Sequence, residues 1–442
     1  MGPQAKIISC NTDGEAICAS AARISTTSGD AVEIFENARG SEKNRTLIEK
    51  VLKSGHKSTL EHAVFTIALR DVSVLAEQFF IEHRLASFTV KSRRYVDFTG
   101  QGYYIPPDLK GDVLAAYQSY MDPLFDAYHS LLEDGVPKED ARFLLPYAFH
   151  SNFYCTVNAR ELAHMIRAMR YGRGRNFPEF QLLAEQLEIQ LEDLFPSLLC
   201  ELARSSDGVE VTVPPCLEGP PVLLSQGEAG RVQLVDAPET PLELLRAAHR
   251  VQNTGGEFDL AALLRSPRSR ELEQLAYTFL LSGVTLSGVT HMVRHRMQSV
   301  IVPSIESLDY SRVILPETVV GNPAARERYC NAVEIACGTR ASLFRDPQLV
   351  KYRTYFALSG CVMDLMTTIN ARELRHFIQL RTCSRAQWEI HGIAEAMLEQ
   401  LRESFPALFG RFGPSCFMQG RCPEGAMTCG GMERMAAKYG GT

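Results

Sequence analysis

The feature that most constrains this chain is an internal duplication. Residues recur at a constant offset of 212 positions: Leu60-Glu61 with Leu272-Glu273, His83-Arg84 with His295-Arg296, Ser92 with Ser304, and Asn158–Leu162 with Asn370–Leu374. Phe195-Pro196 and Phe405-Pro406 then match at 210, which predicts a small length change in the last helical stretch of the repeat. A register held over more than a hundred residues predicts two copies of a whole domain rather than a solenoid.

The composition is that of a globular protein with substantial cores. Of 442 residues, 45% are hydrophobic and 22% are charged. The net charge is −6 and the isoelectric point is about 6.0, so the chain has no general basic field that would gather nucleic acid or anionic lipid. We therefore expect neither a nucleic-acid nor a membrane partner, and any anion site must be a local concentration of Arg and His.

One apolar stretch requires separate consideration. Leu275–Val293 contains no Asp, Glu, Lys or Arg and is almost long enough to cross a bilayer. However, Thr, Ser and Gly interrupt it, and Ser282-Gly283 matches the charged pair Arg70-Asp71 in the first copy. We predict a buried helix or a strand followed by a helix. Twelve irregularly spaced Cys and an N-terminus without an apolar signal segment fit a reduced, cytoplasmic setting.

The pattern of each copy predicts an α+β fold. Lys6–Cys10, Ala63–Leu69 and Val232–Val235 have the character of strands, whereas Phe180–Leu198 and Ile393–Leu401 have helical periodicity. The segment between the copies is rich in Pro and Gly. These observations predict a domain at 1–212, a linker at 213–230 and a second domain at 231–442.

A helix start is predicted near the beginning of the first copy. Ser58-Thr59-Leu60-Glu61 satisfies the capping-box pattern, with Ser58 as the cap and Glu61 bonding back to it. The second copy has Arg270 at this place and Arg268 where the first has His56. Any chemistry of this corner is therefore restricted to the first copy.

A cluster of cations carries the clearest chemical signal. Arg294-His295-Arg296 places three donors in three residues, and guanidinium groups are well matched to phosphate and carboxylate oxygens. Such a triplet alone indicates a solvated basic turn more often than a site. The matching Ser304, and the His-Arg and Ser in the other copy, favour a site.

These residues resemble a known family, the flavin-dependent thymidylate synthases, whose signature is Arg-His-Arg, seven residues, then Ser. Arg294–Ser304 fits it fully, and Glu82–Ser92 fits it except at the first position. Further similar stretches are His56–His62, Ser92–Tyr95, Ala141–Pro146, both Asn-Ala-Arg-Glu-Leu stretches and Arg381–Ile390. The resemblance implies two fused copies of this α+β fold, a mixed sheet with long helices.

The resemblance also implies an activity. In this family, subunits form a tetramer with active sites between chains, FAD delivers hydride to a uracil ring, and methylenetetrahydrofolate donates the methylene group, with a reduced nicotinamide such as NADPH as co-substrate. We therefore expect FAD-dependent conversion of dUMP to dTMP by a homodimer that imitates the tetramer. No protein nucleophile is required, so the cysteines need no catalytic role.

The first copy keeps one half of the family's nucleotide residues. Ser92, Arg94 and Arg142 are present, and their hydroxyl and guanidinium donors suit a phosphate. Glu82 replaces the first Arg of the signature, and Met169 stands at the position of a late Arg that lies near the uracil in the family.

The second copy keeps the other half. Arg294 and Arg381 are present, whereas Glu306 replaces the Arg after Ser and Thr354 falls at the position of Arg142, with Arg353 beside it. Complementary loss predicts one composite nucleotide site between unlike copies. Arg381 is the predicted catalytic residue, because its permanent charge can stabilise a ring that becomes negative as hydride adds. A surface cation paired with an acid is the alternative for Arg381.

We expect flavin to bind Arg294, His295 and Arg296 of the second copy. His56 and Ser58 of the first copy are expected at the same cofactor, with Asn158, Arg160, Asn370 and Arg372 as weaker candidates. Arg372 and Arg381 are nine residues apart, about half a turn around one helix, so they would face different ligands.

Departures from the family keep the nucleotide and the product open. A Glu two residues before the Ser is Val90 or Val302 here, and a Gln three residues before the signature is Phe79 or His291. A related flavoenzyme that modifies another pyrimidine nucleotide or leaves a hydroxymethyl group, and a non-catalytic flavin- or nucleotide-binding protein, are the alternatives.

Three cysteines cluster near the C-terminus, at Cys416, Cys422 and Cys429. They could bind zinc or an iron–sulfur centre with a fourth ligand from elsewhere, but their gaps are not those of common zinc knuckles. A structural or incidental role is favoured, and no metal site is predicted.

Overall fold

The computed structural model describes residues 2–202, 219–253 and 256–440. Its strands are β1 Gln4–Cys10, β2 Val64–Ser73, β3 Ala86–Val90, β4 His150–Asn158, β5 Val222–Leu224, β6 Arg231–Asp236, β7 Ala276–Thr285, β8 Gln298–Ile301, β9 Arg312–Ile314 and β10 Val362–Asn370. Three-residue to six-residue 3₁₀ segments lie at Lys57–His62, Arg142–Leu144, Arg270–Gln274, Ile305–Ser307, Arg353–Phe356 and Gly425–Met427.

The helices of the first repeat are α1 Gly14–Arg23, α2 Ala31–Ala38, α3 Lys43–Lys53, α4 Val74–Ile81, α5 Gly111–Glu133, α6 Lys138–Ala141, α7 Ala159–Arg170, α8 Pro178–Leu194 and α9 Pro196–Leu202. Those of the second are α10 Pro241–Gln252, α11 Leu260–Arg265, α12 Leu286–Met292, α13 Glu317–Val320, α14 Pro323–Leu343, α15 Pro347–Val350, α16 Ala371–Arg381, α17 Trp388–Ser404, α18 Pro406–Phe409, α19 Ser415–Gln419 and α20 Met432–Gly440. The α+β class is confirmed.

Both repeats build the same antiparallel sheet. The strand order is β1-β2-β4-β3 in the first and β6-β7-β10-β8 in the second. Alternate residues of β1 and β2 are buried, as expected for strands with one face on a core. The predicted strands at Lys6–Cys10, Ala63–Leu69 and Val232–Val235 are confirmed with starts within two residues, although β2 continues four residues beyond its predicted end. Leu275–Val293 is a strand followed by a helix.

The duplication extends to a backbone irregularity. Asp71 in β2 and Gly283 in β7 both adopt left-handed backbone, with φ of 52° and 75°, where each strand shifts register against its neighbour. The amide of Asp71 donates to Asn152 Oδ1 at 3.2 Å, and that of Gly283 donates to Asp364 Oδ1 at 2.9 Å. Gly and Asp are among the residues that tolerate this conformation. The same bulge is therefore held by the same kind of side chain in both copies.

The length change between the copies lies earlier than predicted. In each repeat, one buried Glu accepts hydrogen bonds from the residue that precedes a helix. Glu179 accepts from the amide and hydroxyl of Ser73, before α4, and Glu389 accepts from those of Thr285, before α12, each at 2.6 Å. Glu179 and Glu389 already differ by 210 positions, so the last long helices match throughout. The change falls at the end of α7 and α16 and in the connections that follow.

The two compact units correspond to the two repeats except in one segment, Glu334–Ala357. One unit comprises Met1–Pro215 with Glu334–Ala357, and the other comprises Cys216–Val333 with Leu358–Thr442. Within the first unit, the fully buried Arg340 donates to the Tyr120 hydroxyl at 3.0 Å, and Tyr120 donates to the carbonyl of Phe356 at 2.7 Å. The boundaries at 212 and 231 remain predictions about the repeats themselves.

Two other expectations can be compared with the structure. Of the predicted linker 213–230, residues 213–218 lie outside the described part, and the rest contains β5, which pairs in parallel with β9. The capping box is wrong: His56, not Ser58, precedes the 3₁₀ segment Lys57–His62, which has no side-chain cap, and Glu61 pairs with Arg160 instead. Among described residues, no helix is long and apolar enough to cross a membrane.

The buried Glu179 should make stability depend on pH. Burial raises its pKa from 4.5 to about 7, although it accepts hydrogen bonds from Ser73 and from Tyr355 at 2.9 Å. The folded chain therefore holds this proton more tightly than the unfolded chain, and the stability that it contributes below pH 4.5 is lost as the pH rises through about 7.

We expect Glu179→Gln to remove roughly 3 kcal/mol of this pH dependence, because the amide has no charge to bury. Melting temperatures across this pH range would measure it, with the exposed Glu185 on the same helix, changed to Gln, as the control. An unchanged pH profile for Glu179→Gln would show that the carboxyl does not titrate there.

Candidate active site

A buried His–Glu pair anchors the signature loop in each repeat. His83 Nδ1 lies 3.1 Å from Glu161 Oε1, and His295 Nδ1 lies 3.2 Å from Glu373 Oε1. The two imidazoles are only 8% and 5% exposed, and burial lowers the pKa of both. Hydrogen bonds from His164 and then His83 lower the pKa of Glu161 to about 2. Each pair therefore joins a neutral imidazole to a carboxylate.

In the second repeat, Nε2 of His295 is hydrogen-bonded to Arg381, the predicted catalytic residue. Arg381, the last residue of α16, donates from Nε to His295 Nε2 at 3.0 Å. Because Nε2 accepts, the proton of the neutral ring sits on Nδ1 and is donated to Glu373. Glu373, His295 and Arg381 thus form one chain of hydrogen bonds, which orients the guanidinium group of Arg381. A cation in the last turn is also favoured by the helix dipole.

In the first repeat, the corresponding place is closed. Met169 is fully buried, and the cation beside His83 is Arg173. Arg173 forms an ion pair with Glu82, donates to the carbonyl of Phe79 at 3.0 Å, and lies 4.6 Å from the centre of the Phe79 ring. Within the described residues, His83 Nε2 has no hydrogen-bond partner. The Glu that replaced the signature Arg therefore neutralises the cation of this repeat.

Three residues predicted to bind phosphate lie together around one acid. Arg94 donates from Nε to Glu139 Oε2 at 2.6 Å, and Arg142 donates from Nε to the carbonyl of Glu139 at 3.0 Å. Ser92 Oγ accepts from the amide of Arg94 at 3.3 Å. Sequence reasoning did not find Glu139. The only available signal was an acidic first turn in the helix immediately before Arg142.

The second repeat has the same turn without its cation. Ser304 Oγ accepts from the amide of Glu306 at 3.3 Å, the geometry of Ser92 and Arg94. The side chain that follows is a carboxylate, which would repel a phosphate. Thr354, at the sequence position of Arg142, is buried. This arrangement agrees with the assignment of phosphate binding to the first repeat only.

The Asn and Arg of the repeated Asn-Ala-Arg-Glu-Leu stretch have structural partners in both copies. Asn158 and Asn370 cap α7 and α16, each accepting from the amide three residues later at 2.9 Å. Arg160 pairs with Glu61 at 2.5 Å, and Arg372 pairs with Glu273. Capping and ion pairing account for these residues without a ligand, while the predicted flavin role remains untested.

Each unit has a cleft beside its His–Glu pair. That of the first unit has a volume of about 1110 Å³ and contains Lys57, Arg84, Arg160, Arg167 and Arg173 in its lining. That of the second has a volume of about 530 Å³, and its lining includes Asn370, Arg372, Glu373, Arg375 and His376.

Several of these cations already pair with acids of the same linings: Arg173 with Glu82, Lys57 and Arg167 with Glu201, and Arg372 with Glu273. An anionic dinucleotide such as FAD fits the clefts where its phosphates take the place of those carboxylates or meet other cations of the linings, such as Arg84 and Arg375. Guanidinium groups are well suited to a pyrophosphate. The buried His83 Nε2 is a further polar atom available in the larger cleft.

The remaining predicted flavin residues lie at the surface. Arg294 and Arg296 are exposed on either side of the buried His295, so the signature directs its imidazole inward and its guanidinium groups outward. His56 and Ser58 are exposed next to Lys57, which lines the larger cleft.

Comparison with known proteins identifies the family. The model of the family described as "Thymidylate synthase complementing protein" matches residues 6–197 and again 233–407. The chain therefore belongs to this family and carries its domain twice.

Two relatives named "Flavin-dependent thymidylate synthase" each align with slightly under half of the chain. That of Geobacter sulfurreducens is 36% identical over 219 residues, covering 47% of this chain and 86% of its own length. That of Nitratidesulfovibrio vulgaris is 31% identical over 234 residues, covering 45% and 94%. Among solved structures, the UMP/dUMP methylase PolB from Streptomyces cacaoi, bound with 5-Br dUMP, has 25% identity and a TM-score of 0.38, covering 46% of this chain and 94% of its own.

Substitution of Asn370 separates capping from ligand binding. If the side chain only caps α16, Asn370→Ala should destabilise the protein by about 1 kcal/mol, and Asn370→Ser should restore most of that loss because Ser is also a good cap. Thermal melting and FAD titration of both variants provide the measurement. A fall in FAD affinity that Ser does not restore would instead assign Asn370 to the cofactor. Asn158→Ala and Asn158→Ser test the equivalent residue of the other repeat in the same way.

Proposed function

We propose that this protein methylates C5 of dUMP to give dTMP, with FAD as cofactor and with methylenetetrahydrofolate and NADPH as co-substrates. The observation that carries the proposal is the contrast between the two repeats. Arg381 donates to the neutral imidazole of His295, whereas Arg173 forms an ion pair with Glu82. Family membership supplies the reaction class, and this contrast supplies the residue.

Arg381 is proposed to polarise the pyrimidine. When hydride adds to the ring, negative charge develops at the ring nitrogen and carbonyl oxygen, and a fixed guanidinium stabilises that charge without having to reorganise. His295 acts by orienting Arg381 through its Nε. Because the imidazole is neutral, it does not repel the guanidinium as a charged ring would.

Ser92, Arg94 and Arg142 are proposed to bind the phosphate of the nucleotide. Glu139 holds both guanidinium groups through its carboxylate and its carbonyl, so their side chains are ordered before a ligand arrives. A phosphate that binds there gains donors that need little further ordering, and this pre-organisation favours affinity. The phosphate must compete with the Glu139 carboxylate, which already accepts a hydrogen bond from Arg94 Nε.

FAD is proposed to be bound by Arg294, His295 and Arg296, with His56 and Ser58 and with Asn158, Arg160, Asn370 and Arg372 as further contacts. When bound, the flavin supplies the hydride chemistry that protein side chains lack. The protein's own residues supply cations for its pyrophosphate and hold the signature loop in place.

One nucleotide is proposed to use both sets of residues, the phosphate set of the first repeat and Arg381 of the second. The complementary losses support this composite arrangement, since each repeat lacks what the other retains. A homodimer, carrying four family domains, is the proposed assembly.

Turnover provides the principal test. Tritium release from dUMP labelled at C5, with identification of the product, should show dTMP formation that requires FAD. Arg381→Ala should lower kcat by about 10²-fold or more, the loss typical of a removed charge-stabilising donor. Arg173→Ala, in the neutralised position of the other repeat, should stay within a few-fold of wild type.

Activity of Arg381→Ala close to that of wild type would remove Arg381 from the mechanism. A hydroxymethyl product, or turnover of another pyrimidine nucleotide only, would favour a related flavoenzyme. Purified protein that stays colourless on addition of FAD would favour a non-catalytic role.

The phosphate assignment has its own test. Arg94→Ala should raise KM for dUMP by about tenfold to a hundredfold, the value of a charged hydrogen bond, and should change turnover of deoxyuridine, which has no phosphate, far less. Glu306→Ala is the matched control, because Glu306 holds the same position in the second repeat and should leave KM unchanged. An equal effect of Arg94→Ala on both substrates would contradict phosphate binding there.

A further inference from the structure

Four cysteines are gathered near the end of α16, where the sequence alone indicated three. Cys383 follows α16 by two residues, Cys416 lies in α19, and Cys422 and Cys429 lie in the loop between α19 and α20. Ser415 Oγ donates to the carbonyl of Gln379 at 3.4 Å, which ties α19 to the last turns of α16. Cys383 is therefore the candidate for the fourth ligand that the sequence left open.

Electrostatic and hydrogen-bonding contacts link the four thiols. Burial, followed by the neighbouring thiols of Cys383, Cys422 and Cys429, raises the pKa of Cys416, so all three lie within electrostatic range of it. The side chain of Ser384, the residue after Cys383, is hydrogen-bonded to Cys429. All four cysteines thus belong to one cluster.

Backbone donors are directed at the sulfur atoms. The amide of Gly431 donates to Cys429 Sγ at 3.4 Å, and the amide of Phe417 is hydrogen-bonded to Cys416. Arg434 is also close: a β-carbon built on Gly431 would lie 3.3 Å from Arg434 Nη2 and 3.5 Å from Cys429 Sγ. Amide hydrogen bonds and a nearby cation stabilise thiolates, and the same contacts to sulfur tune iron–sulfur centres.

The spacing of the sulfurs distinguishes between metals. A tetrahedral zinc ion with bonds of about 2.3 Å requires its thiolates within roughly 4 Å of one another. Among the described residues, two groups have ligand atoms that all lie within 4.8 Å of one another: His83 with Glu161 and His164, and His295 with Glu373 and His376. No three of the four cysteine sulfur atoms lie that close together. A polynuclear cluster holds its four cysteines further apart, because the metal atoms and sulfides lie between them.

We propose that Cys383, Cys416, Cys422 and Cys429 bind a [4Fe–4S] cluster that fastens the C-terminal segment to the end of α16. Each thiol loses its proton and forms one bond to iron, and two ferrous ions, two ferric ions and four sulfides together supply the [4Fe–4S]²⁺ core without any change of oxidation state. The cluster would stabilise the helix end that carries Arg381, and the proposal does not depend on the reaction of the active site.

The test uses the full chain purified without oxygen. Chemical analysis should find about four iron and about four acid-labile sulfide per chain, and reduction should give the electron paramagnetic resonance signal of a [4Fe–4S]⁺ centre. Neither measurement is disturbed by bound flavin, which contains neither element. Cys422→Ser and Cys429→Ser should each lose most of the iron and lower the melting temperature.

Cys330→Ser is the matched control, because Cys330 is a partly exposed cysteine of α14 outside the cluster and should retain the full iron content. Circular dichroism confirms that each variant is folded. Wild-type protein that contains zinc and no iron would overturn the proposal. So would disulfide bonds among these cysteines, or failure to take up iron after anaerobic reconstitution with ferrous iron, ferric iron and sulfide.

Discussion

In each half of this protein, a buried imidazole is hydrogen-bonded to a Glu in the first turn of α7 or α16, and the rest of the half depends on this interaction. His83 with Glu161 and His295 with Glu373 join a loop to a helix that is far away in sequence, 78 residues in each case. A hydrogen bond to a buried charged group contributes about 1.5–3 kcal/mol, and leaving the carboxylate without it would cost more. The loop, its flanking cations and the helix end are therefore positioned as one unit.

On this common scaffold, one substitution decides where positive charge is available. Glu82 in the first repeat pairs with Arg173 and turns that place into a packed ion pair over the Phe79 ring. The second repeat has Arg294 at the same position, and Arg381 donates a hydrogen bond to the neutral imidazole of His295. After duplication, two copies with the same fold can thus diverge in chemistry while their cores and sheets remain alike.

The repeats are nevertheless not independent structural units. Residues 334–357 of the second repeat belong to the compact unit of the first, where the buried Arg340 and Tyr355 bond to Tyr120 and Glu179. A buried Arg or Glu is tolerated only with partners, and these hydrogen bonds supply partners between the segment and the rest of the first unit.

The sequence by itself determined the duplication, the α+β class, the main strands and helices and the two cation sets, because these depend on periodicity and on a register that local composition preserves. Only the tertiary structure showed that Glu139 gathers Arg94 and Arg142 across 45 residues, that Arg173 meets Glu82 across 91, and that Cys383 joins the C-terminal thiols. The structure also showed that Ser58 does not cap a helix, because it lies within the 3₁₀ segment Lys57–His62. Contacts between residues distant in the chain are set by the packing of whole elements, and no local pattern encodes that packing.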